Sequence, residues 1–152
     1  MRLLALFLAC TLSASAADVS IVRVFTGWRD AASFKRISEY FTGRENTGGE
    51  TVLRTQPAER GGYYFLVRTD NDRAPFAGTL AIRVIVPDSP DARLFKFAVD
   101  VPAGNAVYNL GLTGSDWPDR EIDAVAWKLE VLGPGGEVLA TQSSYLWEKP
   151  AK

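Results

Sequence analysis

Apolar and polar residues alternate over much of the chain after residue 50, with apolar side chains of one parity at 80–86 and again at 95–101. A repeat of two residues places every second side chain on the same face of a strand, so this pattern predicts strands with one buried face. Clusters of Gly, Pro, Asp and Asn separate the apolar runs and mark the ends of the strands. With a first run rich in β-branched residues, the pattern predicts eight strands, at 19–25, 50–55, 62–69, 79–86, 93–101, 106–112, 124–132 and 137–147. Parity also predicts which side chains share the core, including Ile82, Val84, Phe95, Phe97 and Trp127.

One segment has a helical period instead. Phe34, Ile37 and Phe41 recur at the spacing that places side chains on one face of an α-helix, while the polar residues between them face away. Gly is the residue that most often ends a helix, because it adopts a left-handed backbone at no steric cost. The pattern therefore predicts one short α-helix over 31–41 that ends at Gly43, with its apolar stripe directed at the sheet.

The order of these elements favours an antiparallel β-sandwich over a parallel α/β sheet, because short strands follow one another at intervals of about 10 residues without intervening helices. From residue 50 to 147 the layout resembles an immunoglobulin-like or fibronectin-type domain, although the paired cysteines of antibody domains are absent. Such a resemblance implies two packed sheets and no particular activity. The predicted fold class is mainly β, an antiparallel β-sandwich with one short α-helix near the N-terminus.

The N-terminus has the order of a secretory signal peptide. Arg2 precedes an apolar run at 3–12, and small residues follow at 13–17, with Ala14 and Ala16 in the pattern that signal peptidase cleaves. The apolar run is too short for a helix that crosses a bilayer, which needs about 20 residues. We expect residues 1–16 to be removed, leaving a single β-sandwich domain at 17–152 without a transmembrane segment, exported to the periplasm or the extracellular space.

The residue inventory excludes several kinds of chemistry. The chain has 17 Lys and Arg, 18 Asp and Glu and no His, and its one Cys lies in the predicted signal peptide. The mature chain therefore lacks the residues of Ser-His-Asp and Cys-His catalysis and the usual ligands of zinc, haem and iron–sulfur clusters. We expect no cofactor and no catalytic residue, with a carboxylate-dependent hydrolase as the remaining enzymatic alternative. The near-neutral net charge gives no electrostatic reason to expect nucleic acid or anionic lipid as a partner.

One loop is the most acidic in the chain and also carries a tryptophan. Pro118 stiffens the backbone next to Trp117, so the indole could be held outward as a platform for a ligand. Asp116, Asp119 and Arg120 would then supply polar contacts around it. These four residues are the candidate ligand-binding site. The alternative is a solvated connection between strands whose tryptophan folds back over the end of the sandwich.

These features predict an exported, non-catalytic binding or structural module of the cell envelope or extracellular space, with a protein as the first expected partner. The alternative is a carbohydrate-binding module, with or without calcium, in which the exposed Trp/Asp loop stacks on a sugar. The two differ in a measurable way, because insoluble polysaccharide would retain the second and an envelope protein would retain the first.

Overall fold

The computed structural model describes residues 18–148, and the predicted signal peptide at 1–16 lies outside the described residues. The strands are β1 Val19–Arg29, β2 Thr51–Arg54, β3 Gly62–Asn71, β4 Phe76–Val86, β5 Ser89–Val101, β6 Gly104–Thr113, β7 Ala126–Leu132 and β8 Val138–Ser143. Two short α-helices, α1 Ile37–Thr42 and α2 Tyr145–Glu148, and two 3₁₀ turns, Ala31–Phe34 and Gly114–Asp116, complete the elements. Within residues 18–148, no helix is long and apolar enough to cross a membrane.

The strands form two four-stranded sheets, in the orders β1-β3-β6-β2 and β5-β4-β7-β8. The prediction of a mainly β chain built from two sheets is therefore confirmed. One pairing differs from the antiparallel expectation, because β2 runs parallel to β6, with Thr51 opposite Tyr108 and Arg54 opposite Gly111. Among the described strands, none pairs with the first residues of β6 on the β2 side.

The core lies between the two sheets. Side chains without solvent exposure come from β3, β4, β6 and β7, namely Phe65, Val67, Leu80, Ile82, Val84, Leu110, Leu112, Leu129 and Val131. Of the remaining predicted core residues, Phe97 is buried, whereas Phe95 and Trp127 are half-buried and pack against the cluster. Each fully buried side chain of this kind contributes roughly 1.5–3 kcal/mol, so Ile82 and Val84, which period two identified, are among the residues that stabilise the fold.

The segment predicted as one helix is divided in two. A 3₁₀ turn covers Ala31–Phe34, extended backbone follows at Lys35 and Arg36, and α1 then begins at Ile37. The predicted end is correct, because Gly43 closes α1 with φ 64°.

The predicted orientation of this segment is wrong for α1. Ile37 and Phe41 are exposed, and only Phe34 is half-buried. The physical reason is that α1 is attached through polar groups: Glu39 turns inward and accepts a hydrogen bond of 2.6 Å from Nη1 of Arg60. The ion pair fixes the opposite face of the helix to the domain.

The last predicted strand also ends early. β8 stops at Ser143, and Trp147 lies in α2 rather than in a strand. Ser144 ends the pairing, because its backbone N–H donates to the carbonyl of Trp127 and its hydroxyl accepts from the backbone N–H of the same residue.

Candidate functional site

The structure places Trp117 in the core rather than on the surface. Its side chain is 2% exposed, its ring stacks on Tyr63, and its Nε1–H donates to the carbonyl of Ile122 at 3.1 Å. The proposed outward platform is therefore wrong in this conformation, and the alternative in which the indole closes the end of the sandwich is the one observed. A large apolar ring whose one polar group finds a local acceptor is stabilised by burial.

The other candidate residues of this loop have local partners. Arg93 donates from Nη1 to the carbonyl of Asp116 and lies 3.6 Å from its carboxylate. Asp119 accepts the backbone N–H of Glu121 at 2.8 Å, and Arg120 is an exposed side chain 3.6 Å from the Glu121 carboxylate. The interpretation of this loop as a connection between strands accounts for all three.

Across the part of the chain that the structure describes, no group of three or more His, Cys, Asp or Glu side chains is arranged to hold a metal ion.

A surface groove of about 600 Å³ lies elsewhere, on the outer face of the β1-β3-β6-β2 sheet. Strand register places the outward side chains of three strands side by side, with Phe25 opposite Leu66 and Leu66 opposite Asn109. The connection between β1 and β2, residues 30–50, contributes Glu50 to one side of it. We call this recess the sheet groove; it is lined by Phe25, Thr26, Gly27, Trp28, Arg29, Glu50, Tyr64, Leu66, Val107 and Asn109.

Phe34 is an aromatic contact between connection 30–50 and the sheet. Phe34 contacts the ring of Tyr64 at a centroid distance of 4.7 Å, and the guanidinium groups of Arg29 and Arg54 lie 4.1 Å and 5.0 Å from the Phe34 centroid. Flat guanidinium groups stack on aromatic faces and keep their N–H groups free for hydrogen bonds in the ring plane. The stack therefore fixes two cations while it buries an apolar ring.

Tyr64 is the buried residue of β3 that Phe34 contacts. Its hydroxyl accepts from Nε of Arg54 at 2.8 Å and donates to the carbonyl of Arg60 at 2.7 Å. Burial raises the pKa of the Tyr64 hydroxyl, and the hydrogen bond from Arg54 opposes that shift. Arg54 also binds Glu45 through both terminal nitrogens, at 2.9 Å and 2.7 Å, which holds the pKa of Glu45 below its ordinary value.

The polar end of the sheet groove consists of three side chains in a row. Nη1 of Arg29 donates to Oδ1 of Asn109 at 2.9 Å, and Nδ2 of Asn109 is 3.4 Å from Oε2 of Glu50. Among residues 18–148, Arg29 has no carboxylate within ion-pair distance, whereas Glu50 lies 3.7 Å from Arg36. The row thus presents a fixed donor, Arg29, and an exposed acceptor, Glu50, with the side-chain amide of Asn109 between them.

The floor of the sheet groove is open and apolar. Phe25, Leu66 and Val107 are exposed there. At Gly27, a β-carbon would have no heavy atom within 4 Å, so the space above this strand position is empty. A partner could therefore approach the backbone of β1 closely at that point.

A second depression, of about 750 Å³, continues from the sheet groove, since Glu50 and Val107 line both. It follows the start of β6, where β2 does not reach: the β2 pairing covers only residues 108–111 of β6. No other described strand pairs with residues 104–107 on this side. A strand edge with free backbone donors and acceptors is a site where another extended chain can pair.

Sequence reasoning missed the residues of the sheet groove. Arg29 contacts connection 30–50 through the Phe34 stack, but nothing in its local sequence assigns it to a recess. One signal was present, because Asn109 is the polar outward residue of an otherwise apolar strand and Gly27 interrupts a β-branched run. Pairing of β1 with β3, which brings these positions together, is not encoded in local periodicity.

Comparisons of the chain with protein-family models, with curated proteins and with solved structures give no match.

Proposed function

We propose that this protein is an exported, non-catalytic binding module that holds an extended segment of a protein partner along the sheet groove and the start of β6. The observation that carries the proposal is the continuity of three features in one depression: the oriented Arg29, the apolar floor and the unpaired edge of β6. Arg29 would bind a carboxylate or carbonyl of an extended peptide. The apolar floor would contact its apolar side chains, and the edge of β6 would pair with its main chain.

The polar row suits peptide recognition. Arg29 is held by Asn109 and by the Phe34 ring, so little side-chain entropy remains to be lost when it binds an acceptor. A carboxylate or a backbone carbonyl of the partner would bind the free N–H groups of Arg29, and a partner N–H would donate to Glu50. The edge of β6 would add main-chain hydrogen bonds, as in strand addition.

The floor favours a protein over a glycan. Sugar rings usually stack on an open aromatic face, and the exposed aromatic ring of the floor, Phe25, carries the guanidinium of Arg23 at 5.2 Å from its centroid. Tyr64 is buried, and Trp28 directs its N–H to Asp30. Leu66 and Val107 offer contacts suited to apolar side chains instead.

The titratable groups support a non-catalytic role. A carboxylate-dependent hydrolase needs a general acid whose pKa is raised. Hydrogen bonds from arginine or lysine instead lower the pKa of Glu39, Glu45 and Glu130 below their ordinary values. These groups behave as structural ion-pair partners.

The proposal also includes an immunoglobulin-like or fibronectin-type layout of the two sheets and export of the protein. Two sheets of four strands support an immunoglobulin-like or fibronectin-type layout, from which the parallel β2–β6 pair departs. The order of charged, apolar and small residues at 1–17 supports export to the periplasm or the extracellular space.

The proposal can be tested by crosslinking from the floor of the groove. A photo-crosslinking amino acid placed at Phe25 should give a discrete protein adduct in the producing organism, because this exposed position faces the proposed partner. The same amino acid at Thr141, an exposed position on β8 in the other sheet, provides the matched control and should give no such adduct.

A groove-filling variant then identifies the site. Gly27→Val places a branched side chain in empty space on a strand, where the fold tolerates it, and it should abolish the Phe25 adduct without lowering the melting midpoint. An adduct that is unchanged in Gly27→Val would overturn the assignment to the sheet groove. Retention of the wild type on insoluble polysaccharide, lost in Gly27→Val, would replace the protein partner by a glycan.

A further inference from the structure

Helix α1 presents its apolar side chains to solvent. Ile37, Tyr40 and Phe41 are 79%, 76% and 85% exposed. Their spacing of three and four residues places them on one face of the helix. We call these three residues the apolar tip. Contiguous exposed apolar side chains of this size mark a surface that contacts something other than water.

The exposure of the apolar tip results from how α1 is attached. Glu39 on the opposite face binds Arg60 and also accepts the backbone N–H of Asn46 at 3.2 Å. Nδ2 of Asn46 donates to the hydroxyl of Ser38 at 2.8 Å. The polar face of the helix is thus bound to the domain and the apolar face is turned outward, the reverse of ordinary helix packing. Specific hydrogen bonds hold the apolar tip in this position.

The charges around the apolar tip are cationic. Lys35 precedes α1, with its Nζ 5.8 Å from the Tyr40 ring centroid, and Arg44 follows the end of the helix. Neither side chain has a carboxylate partner within the described range 18–148. The glutamates of connection 30–50, by contrast, each lie against an arginine: Glu39 at Arg60, Glu45 at Arg54 and Glu50 at Arg36. The near-neutral net charge of the chain conceals this local excess of positive charge.

We propose that the apolar tip docks the protein on an anionic membrane surface, without crossing it. Ile37 and Phe41 enter the boundary between headgroups and acyl chains, Tyr40 lies at headgroup level, and Lys35 and Arg44 bind lipid phosphates. Short amphipathic segments with apolar tips and flanking cations bind membranes in this way, and aromatic residues prefer the interface. Side chains that protrude by three quarters or more of their surface fit a fluid interface. Lys35 and Arg44, which have no carboxylate partner among residues 18–148, select a negatively charged interface.

Flotation with lipid vesicles tests this proposal. The protein purified from the exported fraction should float with vesicles made of equal parts phosphatidylglycerol and phosphatidylcholine, and far less with vesicles of phosphatidylcholine alone. Ile37→Ser with Phe41→Ser should weaken binding by about tenfold or more, the factor expected for withdrawing large apolar side chains from hydrocarbon surroundings. Lys35→Gln with Arg44→Gln should reduce binding to the anionic vesicles only, and added salt should have the same effect.

Matched controls separate the tip from general surface hydrophobicity. Tyr145 on α2 is 78% exposed, so Tyr145→Ser removes an equally exposed ring and should leave vesicle binding unchanged. All variants should keep the wild-type melting midpoint, because the side chains concerned make few contacts. Absence of wild-type binding to anionic vesicles, or equal binding by the Ile37/Phe41 variant, would overturn the proposal. A concentration-dependent dimer in sedimentation that the same variant abolishes would also overturn it and assign the tip to a second copy of the chain.

Discussion

The indole of Trp117 stacks on the ring of Tyr63, with centroids 4.5 Å apart and planes inclined by 22°. This contact closes one end of the sandwich, and it connects a loop that looks polar in sequence to the central strand β3. Trp117→Ala should therefore lower the free energy of unfolding by about 3–5 kcal/mol, from lost burial and a cavity. Denaturant unfolding measures this change.

Arg120 provides the control for that experiment, because it lies in the same loop but is exposed. Arg120→Ala should change the free energy of unfolding by no more than about 0.5 kcal/mol. If Trp117→Ala left stability unaltered, the indole would not close the core and the outward platform would return as the explanation.

A second prediction concerns two glycines that flank Tyr64 in the sheet. Gly27 on β1 and Gly111 on β6 both lie opposite Tyr64 in the strand register. A β-carbon at Gly111 would lie 2.6 Å from Cε1 and Cζ of the Tyr64 ring. Hydrogen bonds to Arg54 and Arg60 prevent this ring from moving away, so Gly111→Ala should destabilise by about 1–3 kcal/mol.

The same substitution at Gly27 serves as its matched control, because the space there is open. Gly27→Ala should be neutral or slightly stabilising, since alanine reduces the freedom of the unfolded chain. Thermal melting of the two variants side by side decides the matter, and equal midpoints would contradict the close contact at Gly111.

A third prediction concerns Arg54, whose guanidinium group donates to the Tyr64 hydroxyl and to both carboxylate oxygens of Glu45. Lysine keeps the charge but cannot reproduce a planar, bidentate set of donors. Arg54→Lys should cost about 1.5–3 kcal/mol, the range for hydrogen bonds to charged groups. Arg68→Lys, on the exposed face of β3, should cost nothing measurable; equal losses in both variants would argue against the fork geometry.

A fourth prediction concerns the stability of the folded protein at acid pH. Hydrogen bonds from Arg60 and from the backbone N–H of Asn46 hold the pKa of Glu39 below its ordinary value of 4.5. A carboxyl whose pKa is lowered by folding stabilises the folded state fully above its unfolded pKa, and this contribution is lost as the pH falls through the folded pKa. Glu39→Gln should therefore show a smaller loss of stability than the wild type when the pH falls below 4.5.

Urea unfolding at a series of pH values measures this difference. Arg60→Gln removes the donor and should reduce the acid dependence in the same way, while the double variant should add little further, because the two residues act as one pair. Parallel pH profiles for the wild type and Glu39→Gln would exclude the ion pair as the group that fixes α1.

The strands were predictable because burial on one face imposes a period of two, and Ile82, Val84 and Phe97 obey it without exception. The pairing of the strands was not predictable in the same way. Thr51–Arg54 meets residues 108–111 only through the folded sheet, and nothing within either segment specifies a parallel neighbour. The sheet groove depends on the pairing of β1 with β3 and of β3 with β6, which local periodicity does not specify either.

The helix and the tryptophan loop show a second limit. Periodicity correctly identified an apolar stripe at Ile37 and Phe41, but it assumes that apolar faces turn inward, and the ion pair of Glu39 with Arg60 reverses that rule. The sequence places Trp117 in a polar loop, but its ring is buried in the core while its polar neighbours in the loop remain at the surface. In both places, one long-range contact outweighs the local pattern.

The parallel position of β2 has a consequence for the order in which the chain folds. Thr51–Arg54 is synthesised before β6, its only partner among the described strands, so its pairing has to wait until β6 is present. Contacts between distant parts of a chain form late, because a long loop has to close first. Arg54, which fixes connection 30–50 through Glu45 and Phe34, acquires its final position only then. We therefore expect the part of connection 30–50 that Arg54 holds through Glu45 to become ordered only after β6 has joined the sheet.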